Sequence, residues 1–379
     1  MSDTSRDPLR HILSTCAAQA LAFSPAILSP LTVGGLINGL GIGEVEAGAL
    51  VTAEFLVMGI TSILVAPVSV RIPYRLLALA GGVLLLAGHA GAALAADLSE
   101  LYPWRIIAGV GCGCLLATVN ASIAQARAPD RLYGLAWAAG YTFTAIMAVV
   151  ITESNDLVTY DIVFGSLAVT MLIFLPLVWF VPDHGSAPAS LSLPSDSIRA
   201  GSILMVGLIV IGISMMAYYA FLERLAVQIG ANPAETGRIV AGAQVAGIIG
   251  GLLAAPVARR LGLVAGLCVV SILHAVTITL AVWTDTVIVL GVVAFFEAVL
   301  FIIMVPLVFT LAAGIDTKGR WAAIAGGVFV ISTAIGPVVG AFLIEETGYG
   351  AIAWMQWPAV LLAVSIFAWI NRSSYGKQS

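Results

Sequence analysis

The sequence predicts an all-α polytopic membrane protein with 12 transmembrane helices, arranged as two pseudo-symmetric bundles of six helices. Three observations lead to this prediction: the composition, the number of long apolar segments and an internal repeat. Of the 379 residues, 60% are hydrophobic and only 9% are charged, and the mean hydropathy is +1.07. Soluble domains carry roughly 25% charged residues. A chain this apolar is therefore expected to lie in lipid.

Long apolar segments occur in two groups of six, and each is close to the about 20 residues that one membrane crossing needs. A stretch rich in Ser and Pro, residues 183–201, separates the groups and predicts a cytoplasmic linker. We therefore expect an N-terminal bundle of residues 1–182 and a C-terminal bundle of residues 202–379. The segments lie near 12–38, 46–69, 74–96, 101–125, 132–152, 158–181, 202–222, 234–257, 263–283, 286–313, 321–343 and 351–370. Pro25 and Pro30 predict a bend in the first one, with the freed carbonyls bonded by hydroxyls or water.

The internal repeat is a short phrase that closes the second segment of each half. Residues 64–72 read LVAPVSVRI, and residues 253–261, 189 positions later, read LAAPVARRL. Two duplicated halves in parallel orientation are typical of secondary transporters, which expose a path along the interface of the halves to each side in turn.

Basic residues predict the orientation, because cytoplasmic connections carry an excess of Lys and Arg. With the N-terminus inside, 13 of the 16 basic residues fall on the cytoplasmic side, whereas the opposite connections hold mainly acidic residues. Both termini are therefore expected to be cytoplasmic. The 13 basic residues are Arg6, Arg10, Arg71, Arg75, Arg127, Arg131, Arg199, Arg259, Arg260, Lys318, Arg320, Arg372 and Lys377.

Two motifs resemble signatures of the major facilitator superfamily. After the second segment, residues 66–75 resemble a degraded copy of the family's Gly-x-Leu-Ala-Asp-Arg-x-Gly-Arg-Arg, in which Arg71 and Arg75 match. In the second half, Arg260 matches an arginine of the same signature. The fourth segment carries Arg105 followed by glycines, as in the family, in the sequence RIIAGVGCG.

The resemblance implies a secondary transporter without enzymatic activity, in which helices 1, 4, 7 and 10 line the cavity with help from 2, 5, 8 and 11. A Gly-Pro motif on helix 5, usual in the family's drug/proton antiporters, is missing here; Gly336-Pro337 occurs on helix 11 instead. We therefore expect proton-linked symport of a small organic solute. Proton-coupled efflux of organic compounds and a non-transporting membrane sensor or enzyme on the same scaffold remain alternatives.

Two carboxyl groups are expected near the middle of the bilayer, Glu54 on the second helix and Glu297 on the tenth. A charge at that depth costs at least about 2.5 kcal/mol unless it is paired or hydrated. Both are therefore candidates for proton coupling. Glu54 is the first candidate for the titrating group, and Glu297 also for substrate contact; the alternative for both is a structural hydrogen bond.

Arg105 is expected about one turn inside its helix, facing either an anionic substrate or Glu54, with a position at the membrane interface as the alternative. Arg238 is similarly shallow and, with Arg71, Arg75 and Arg260, is a candidate for gating. Further candidates for substrate binding are polar or aromatic side chains on helices that the resemblance places around the cavity. They are Tyr218, Tyr219, Gln244, Trp137, Tyr141 and Asn120.

Other side chains and motifs narrow the function. His89 and His274 fall on helices 3 and 9, which the family places at the periphery, and we expect them to be structural. The four cysteines lie in apolar segments and predict no disulfide framework or metal site. No phosphate-binding loop or extended basic face occurs, so neither an ATP-driven pump nor nucleic-acid binding is expected. We expect no cofactor, a monomer, and partners limited to solute, protons and lipid of the bacterial cytoplasmic (inner) membrane.

Overall fold

The computed structural model describes residues 8–65, 72–124, 126, 129–182, 198–315 and 320–374, and these residues form helices joined by short connections. Among them, 11 helices are long and apolar enough to cross a membrane, or up to 12 if a bent pair at the start counts as one span. The all-α membrane fold predicted from the sequence is therefore confirmed. Residue 71 and most of the predicted linker, residues 183–197, lie outside the described residues, so the gating role of Arg71 stays a prediction.

The chain divides into two compact units, residues 1–189 and 190–379, and the division falls inside the predicted linker. Helices of the first unit are α1 (Leu9–Ile27), α2 (Ser29–Leu40), α3 (Glu44–Val65), α4 (Tyr74–Leu94), α5 (Leu98–Ala124), α6 (Pro129–Glu153) and α7 (Tyr160–Val178). Helices of the second unit are α8 (Ile198–Tyr219), α9 (Leu222–Gln228), α10 (Pro233–Leu261), α11 (Leu263–Trp283), α12 (Val287–Ala313), α13 (Arg320–Thr347) and α14 (Gly350–Ser374).

Helices at equivalent places in the two units pack in the same way. In the first unit α5 packs on α3 and α4, α4 on α7, and α1 on α6; in the second unit α12 packs on α10 and α11, α11 on α14, and α8 on α13. Tyr74 and Leu263 begin α4 and α11, and Leu98 and Val287 begin α5 and α12, each pair 189 positions apart. The offset read from the repeated phrase therefore also relates the helix boundaries.

The first membrane segment is bent, as the two prolines predict. Helices α1 and α2 meet at Leu28 with an angle of 49°. Pro25 has no N–H to donate to the carbonyl of Leu21, and the hydroxyl of Ser24 donates to that oxygen instead, at 3.0 Å. In the apolar core of a bilayer the hydroxyl thus satisfies a carbonyl oxygen that has lost its backbone donor.

Helix α5 begins earlier than the sequence predicts, which changes the position of Arg105. An aspartate just before the helix, Asp97, accepts hydrogen bonds from the backbone N–H groups of Ser99 and Glu100 at 2.8 and 3.0 Å. Because these bonds satisfy N–H groups of the first turn, the helix starts at Leu98 and Pro103 lies inside it. The expected depth of one turn for Arg105 was therefore wrong: it lies seven residues, or about two turns, into the helix.

Candidate functional site

Glu54 and Arg105 form a buried ion pair in the first unit, joining α3 to α5. Nη2 of Arg105 donates to Oε1 of Glu54, and Nε donates to Oε2 at 3.1 Å. The side chains are only 1% and 3% exposed. This two-bond geometry is the strongest that a guanidinium and a carboxylate can form. Of the two partners expected for Arg105, the structure supplies Glu54.

His89 and Phe164 complete the surroundings of the guanidinium. Nη1 of Arg105 lies 3.1 Å from Nδ1 of His89 on α4, and Cζ lies 4.2 Å from the centre of the Phe164 ring on α7. Because a guanidinium can only donate, Nδ1 must accept, and this places the proton of the neutral imidazole on Nε2. The Arg105 cluster, which comprises Glu54, His89, Arg105 and Phe164, therefore joins four helices of one unit.

The glycines that follow Arg105 allow its helix to approach α3. Arg105, Gly109 and Gly113 are spaced by four residues and lie on one face of α5. A methyl group on Gly109 would lie 2.6 Å from the carbonyl oxygen of Glu54, and one on Gly113 would lie 2.6 Å from that of Met58. Any larger residue would separate the helices. The glycine motif thus sets the distance over which the arginine reaches the glutamate.

A second buried pair lies in the second unit, between α11 and α12. Nδ1 of His274 is 3.4 Å from Oε1 of Glu297, and the side chains are 3% and 4% exposed. Neither ring nitrogen of His274 has a hydrogen-bond partner among the described residues. The contact is thus within ion-pair distance, but its geometry is not that of a hydrogen bond. Phe301 packs beside the imidazole, with 6.1 Å between the ring centres.

The two pairs occupy related places in the duplicated architecture. In each unit the third membrane helix, α4 or α11, supplies a histidine, and the fourth, α5 or α12, supplies a charged residue. His89 and His274 were expected to be structural side chains of peripheral helices. The structure buries both against the charged groups. The sequence did contain a signal for this association. Each histidine lies inside a long apolar segment, and the next segment carries a buried ionisable residue.

The remaining candidates for substrate binding differ in burial and in hydrogen bonding. Tyr218 and Gln244 are fully buried, and their side-chain polar atoms have no hydrogen-bond partner in the described part of the chain. Tyr219 is half-buried. Asn120 already has a hydrogen-bond partner, because its Oδ1 accepts from Tyr133 Oη at 3.3 Å.

Trp137 and Tyr141 pack side by side on α6, with 5.7 Å between ring centres, and Trp137 lies 4.6 Å from Phe23 of α1. One turn before Phe23, Gln19 is 1% exposed, and its Oε1 has no partner among the described residues. A buried amide oxygen without a hydrogen bond is costly, so such groups are candidates to bond a ligand or water. Sequence reasoning missed Gln19, although an amide in the apolar first segment was visible.

The described candidates for gating lie near helix ends. Arg75 is exposed in the first turn of α4, with its guanidinium carbon 5.5 Å from the centre of the Trp179 ring. Arg238 is exposed near the start of α10, and Arg260 is exposed in the last turn of the same helix. Among the described residues, no group of three His, Cys, Asp or Glu side chains could hold a metal ion.

Comparison with known proteins gives a sequence match and several structural matches. Residues 14–198 match the family model of the Major Facilitator Superfamily. No curated protein sequence matches the chain. Among solved structures, a D-xylose-proton symporter is 18% identical with a TM-score of 0.73, and 94% of this chain and 96% of that one are covered.

Two further solved structures share the fold at low identity. The nucleoside transporter NupG is 13% identical with a TM-score of 0.77, covering 94% of this chain and 98% of its own. The peptide transporter POT, in complex with alafosfalin, is 13% identical with a TM-score of 0.75, covering 96% and 94%. The chain therefore shares the fold of these proteins over 94–96% of its length.

Proposed function

We propose that this chain, whose residues 14–198 match the family model of the Major Facilitator Superfamily, is a secondary active transporter of that family. It would move a small organic solute across a membrane by alternating access, as a proton-coupled symporter. The observation that carries the proposal is the buried pair Glu297 and His274 in the second unit. One structural neighbour, a D-xylose-proton symporter, supports the same direction of coupling.

The two buried glutamates differ in what they can do with a proton. Glu54 is bonded to the guanidinium of Arg105, which stays charged at any physiological pH, so this carboxylate is already neutralised. Glu297 has a histidine as its neighbour, with 3.4 Å between His274 Nδ1 and Glu297 Oε1, and each of the two side chains can bind a proton. A buried carboxylate without a fixed cation is costly, so Glu297 favours the protonated form while it is buried. When the transport cycle exposes the side chain to water, it can release that proton.

We therefore assign coupling first to Glu297, and give Glu54 and Arg105 the role of holding α3, α4, α5 and α7 together. This reverses the order of the two glutamates expected from the sequence. Substrate contact is assigned to side chains with unsatisfied buried polar atoms and to the aromatic cluster on α1 and α6. These are Gln19, Tyr218, Gln244, Trp137 and Tyr141.

The test is uptake by purified protein in liposomes under an imposed proton gradient. Sugars, nucleosides and peptides serve as probes, because these are the classes named for structural neighbours. Glu297→Gln should abolish accumulation against a gradient while leaving counterflow exchange, because the amide keeps the volume but cannot release a proton. Glu345→Gln, which changes an exposed glutamate of the same unit, is the matched control and should transport normally.

Gradient-driven accumulation by Glu297→Gln at the wild-type rate would contradict the assignment of Glu297. If Glu54→Gln alone then lost accumulation and kept exchange, coupling would belong to Glu54. Uphill movement of solute in the direction opposite to the proton flux would replace symport by efflux.

A further inference from the structure

A cleft lined by basic and aromatic side chains opens at one end of the first unit. Its volume is about 350 Å³, and its walls are Arg10 and His11 of α1, Arg75 of α4, and residues 179–182 after α7. The distribution of basic residues predicts that this end faces the cytoplasm. The described residues that line the cleft all belong to the first unit, and none of them is assigned to coupling.

The described side chains that line the cleft include basic ones and no acidic one. Two arginines and a histidine contribute to its walls. Both Arg10 and Arg75 are exposed. The guanidinium carbon of Arg75 lies 5.5 Å from the centre of the Trp179 ring, which holds the arginine side chain beside the aromatic surface. The arrangement suits an anion that accepts hydrogen bonds from guanidinium groups, above all a phosphate.

An apolar surface continues from the cleft along α7. Trp179 and Phe180 are 40% and 48% exposed, and Leu172, Ile173 and Leu177 on the preceding turns are also exposed. Their spacing places them along one side of the helix. A phosphate in the cleft would thus lie at the end of a surface that can contact acyl chains, with Trp179 at the level where tryptophan is enriched in membrane proteins.

We propose that this cleft binds the headgroup of an anionic phospholipid, with Arg10 and Arg75 on its phosphate and the acyl chains along α7. The charge of the walls distinguishes an anionic lipid from a zwitterionic one. Continuity with the exposed apolar side of α7 distinguishes a lipid from free phosphate, which would gain nothing from that surface.

The internal repeat supplies a matched control. Arg199 is the second residue of α8, as Arg10 is of α1, and the two are 189 positions apart. The guanidinium carbon of Arg199 lies 5.6 Å from the centre of the Trp369 ring near the end of α14. The position equivalent to Arg75 holds Val264. The second unit thus also has an arginine beside a tryptophan, at the position equivalent to Arg10, but lacks an arginine at the position equivalent to Arg75.

The experiment measures lipid binding to the purified full-length protein in detergent by native mass spectrometry. Phosphatidylglycerol should bind wild type more tightly than phosphatidylcholine. Each arginine near a membrane surface contributes about five-fold to anionic lipid affinity, so the double variant Arg10→Gln/Arg75→Gln should lose about 25-fold for phosphatidylglycerol. Phosphatidylcholine binding should not change. Arg199→Gln should leave phosphatidylglycerol binding as in wild type, and Arg10→Lys/Arg75→Lys should keep most of it.

Three results would overturn the proposal. The first is equal binding of phosphatidylglycerol and phosphatidylcholine to wild type. The second is a loss of phosphatidylglycerol affinity in Arg199→Gln as large as that in the double variant. Inorganic phosphate could also displace phosphatidylglycerol at the concentration at which it binds wild type alone, which would assign the cleft to a soluble anion. Both double variants disturb packing at positions 10 and 75, but only the glutamine variant removes the charge. A loss of phosphatidylglycerol affinity in the glutamine variant alone is therefore due to charge.

Discussion

Nδ1 of His274 lies 3.4 Å from Oε1 of Glu297, with both side chains almost fully buried, whereas His89 faces the permanently charged Arg105. A histidine beside a carboxyl can exchange a proton with it, but one that accepts from a guanidinium can only stay neutral. We therefore expect His274→Asn to change the pH dependence of gradient-driven uptake. His89→Asn should leave the pH profile in place and lower stability instead. Uptake at graded pH in liposomes checks both, and identical profiles for His274→Asn and wild type would remove the histidine from the coupling step.

The ion pair of Glu54 and Arg105 should show strong coupling in a double-mutant cycle. Arg105→Leu leaves a buried carboxyl without its cation, and removal of one partner of a buried pair costs about 3–5 kcal/mol. Glu54→Leu/Arg105→Leu should recover part of that loss, because no buried charge remains unpaired. Unfolding of the purified protein in detergent measures the free energies. Losses of the single variants that simply add in the double variant would show that the two residues do not depend on each other.

Gly109 should tolerate no side chain. The methyl group of Gly109→Ala would meet the carbonyl oxygen of Glu54 at 2.6 Å, so the backbones of α3 and α5 must separate. Overpacking of this kind costs about 1–3 kcal/mol. Gly134→Ala on α6 is the control, since nothing lies within 4 Å of its added methyl group. That variant should be more stable than wild type by about 0.5–1 kcal/mol. Equal thermal unfolding of the two variants would contradict the close approach at Gly109.

Asp97 should make stability depend on pH at the start of α5. The hydroxyl of Ser99 and the backbone N–H of Glu100 donate to its carboxylate, and they lower the pKa of Asp97 below its ordinary value. A lowered pKa stabilises the fold above about pH 3.9, the value for an unfolded chain, and the contribution is lost as the pH falls through the pKa of the folded state.

Asp97→Asn keeps the cap without the charge, so its thermal unfolding should lack this contribution to the pH dependence. Asp97→Ala should unfold at a lower temperature than either at neutral pH. Parallel pH dependence of the aspartate and asparagine proteins would show that the carboxylate contributes nothing to this end of the helix.

The predicted orientation can be checked by labelling single cysteines, after the native cysteines are replaced by alanine. Glu44→Cys and Asp285→Cys should react with a membrane-impermeant reagent from outside the cell. Ile72→Cys and Arg259→Cys should react only after the membrane is opened, because the basic connections are expected in the cytoplasm. External labelling at position 72 or 259 would reverse the orientation and place the lipid cleft at the outer surface.

The sequence by itself determined the membrane class, the number of apolar segments and the duplication. These features depend on composition and on local periodicity, since each span must satisfy its own backbone hydrogen bonds whatever it packs against. The same locality explains why the bend at Pro25 was predictable, because a proline removes a bond to a carbonyl four residues earlier. Glu54 was one of two partners expected for Arg105, the other being an anionic substrate. The sequence offered no way to choose between the two.

Only the tertiary structure decided which helix face each polar side chain occupies. His89 and His274 joined the buried charges because α4 packs on α5 and α11 on α12, and helix packing is set by contacts between residues distant in the chain. Gly109 shows the same dependence: its role is visible only when Glu54 of another helix lies against it. An apolar helix in lipid has no water-facing side to mark its orientation, so its hydrophobic pattern carries little information about its neighbours, and the geometry of the charges had to come from packing.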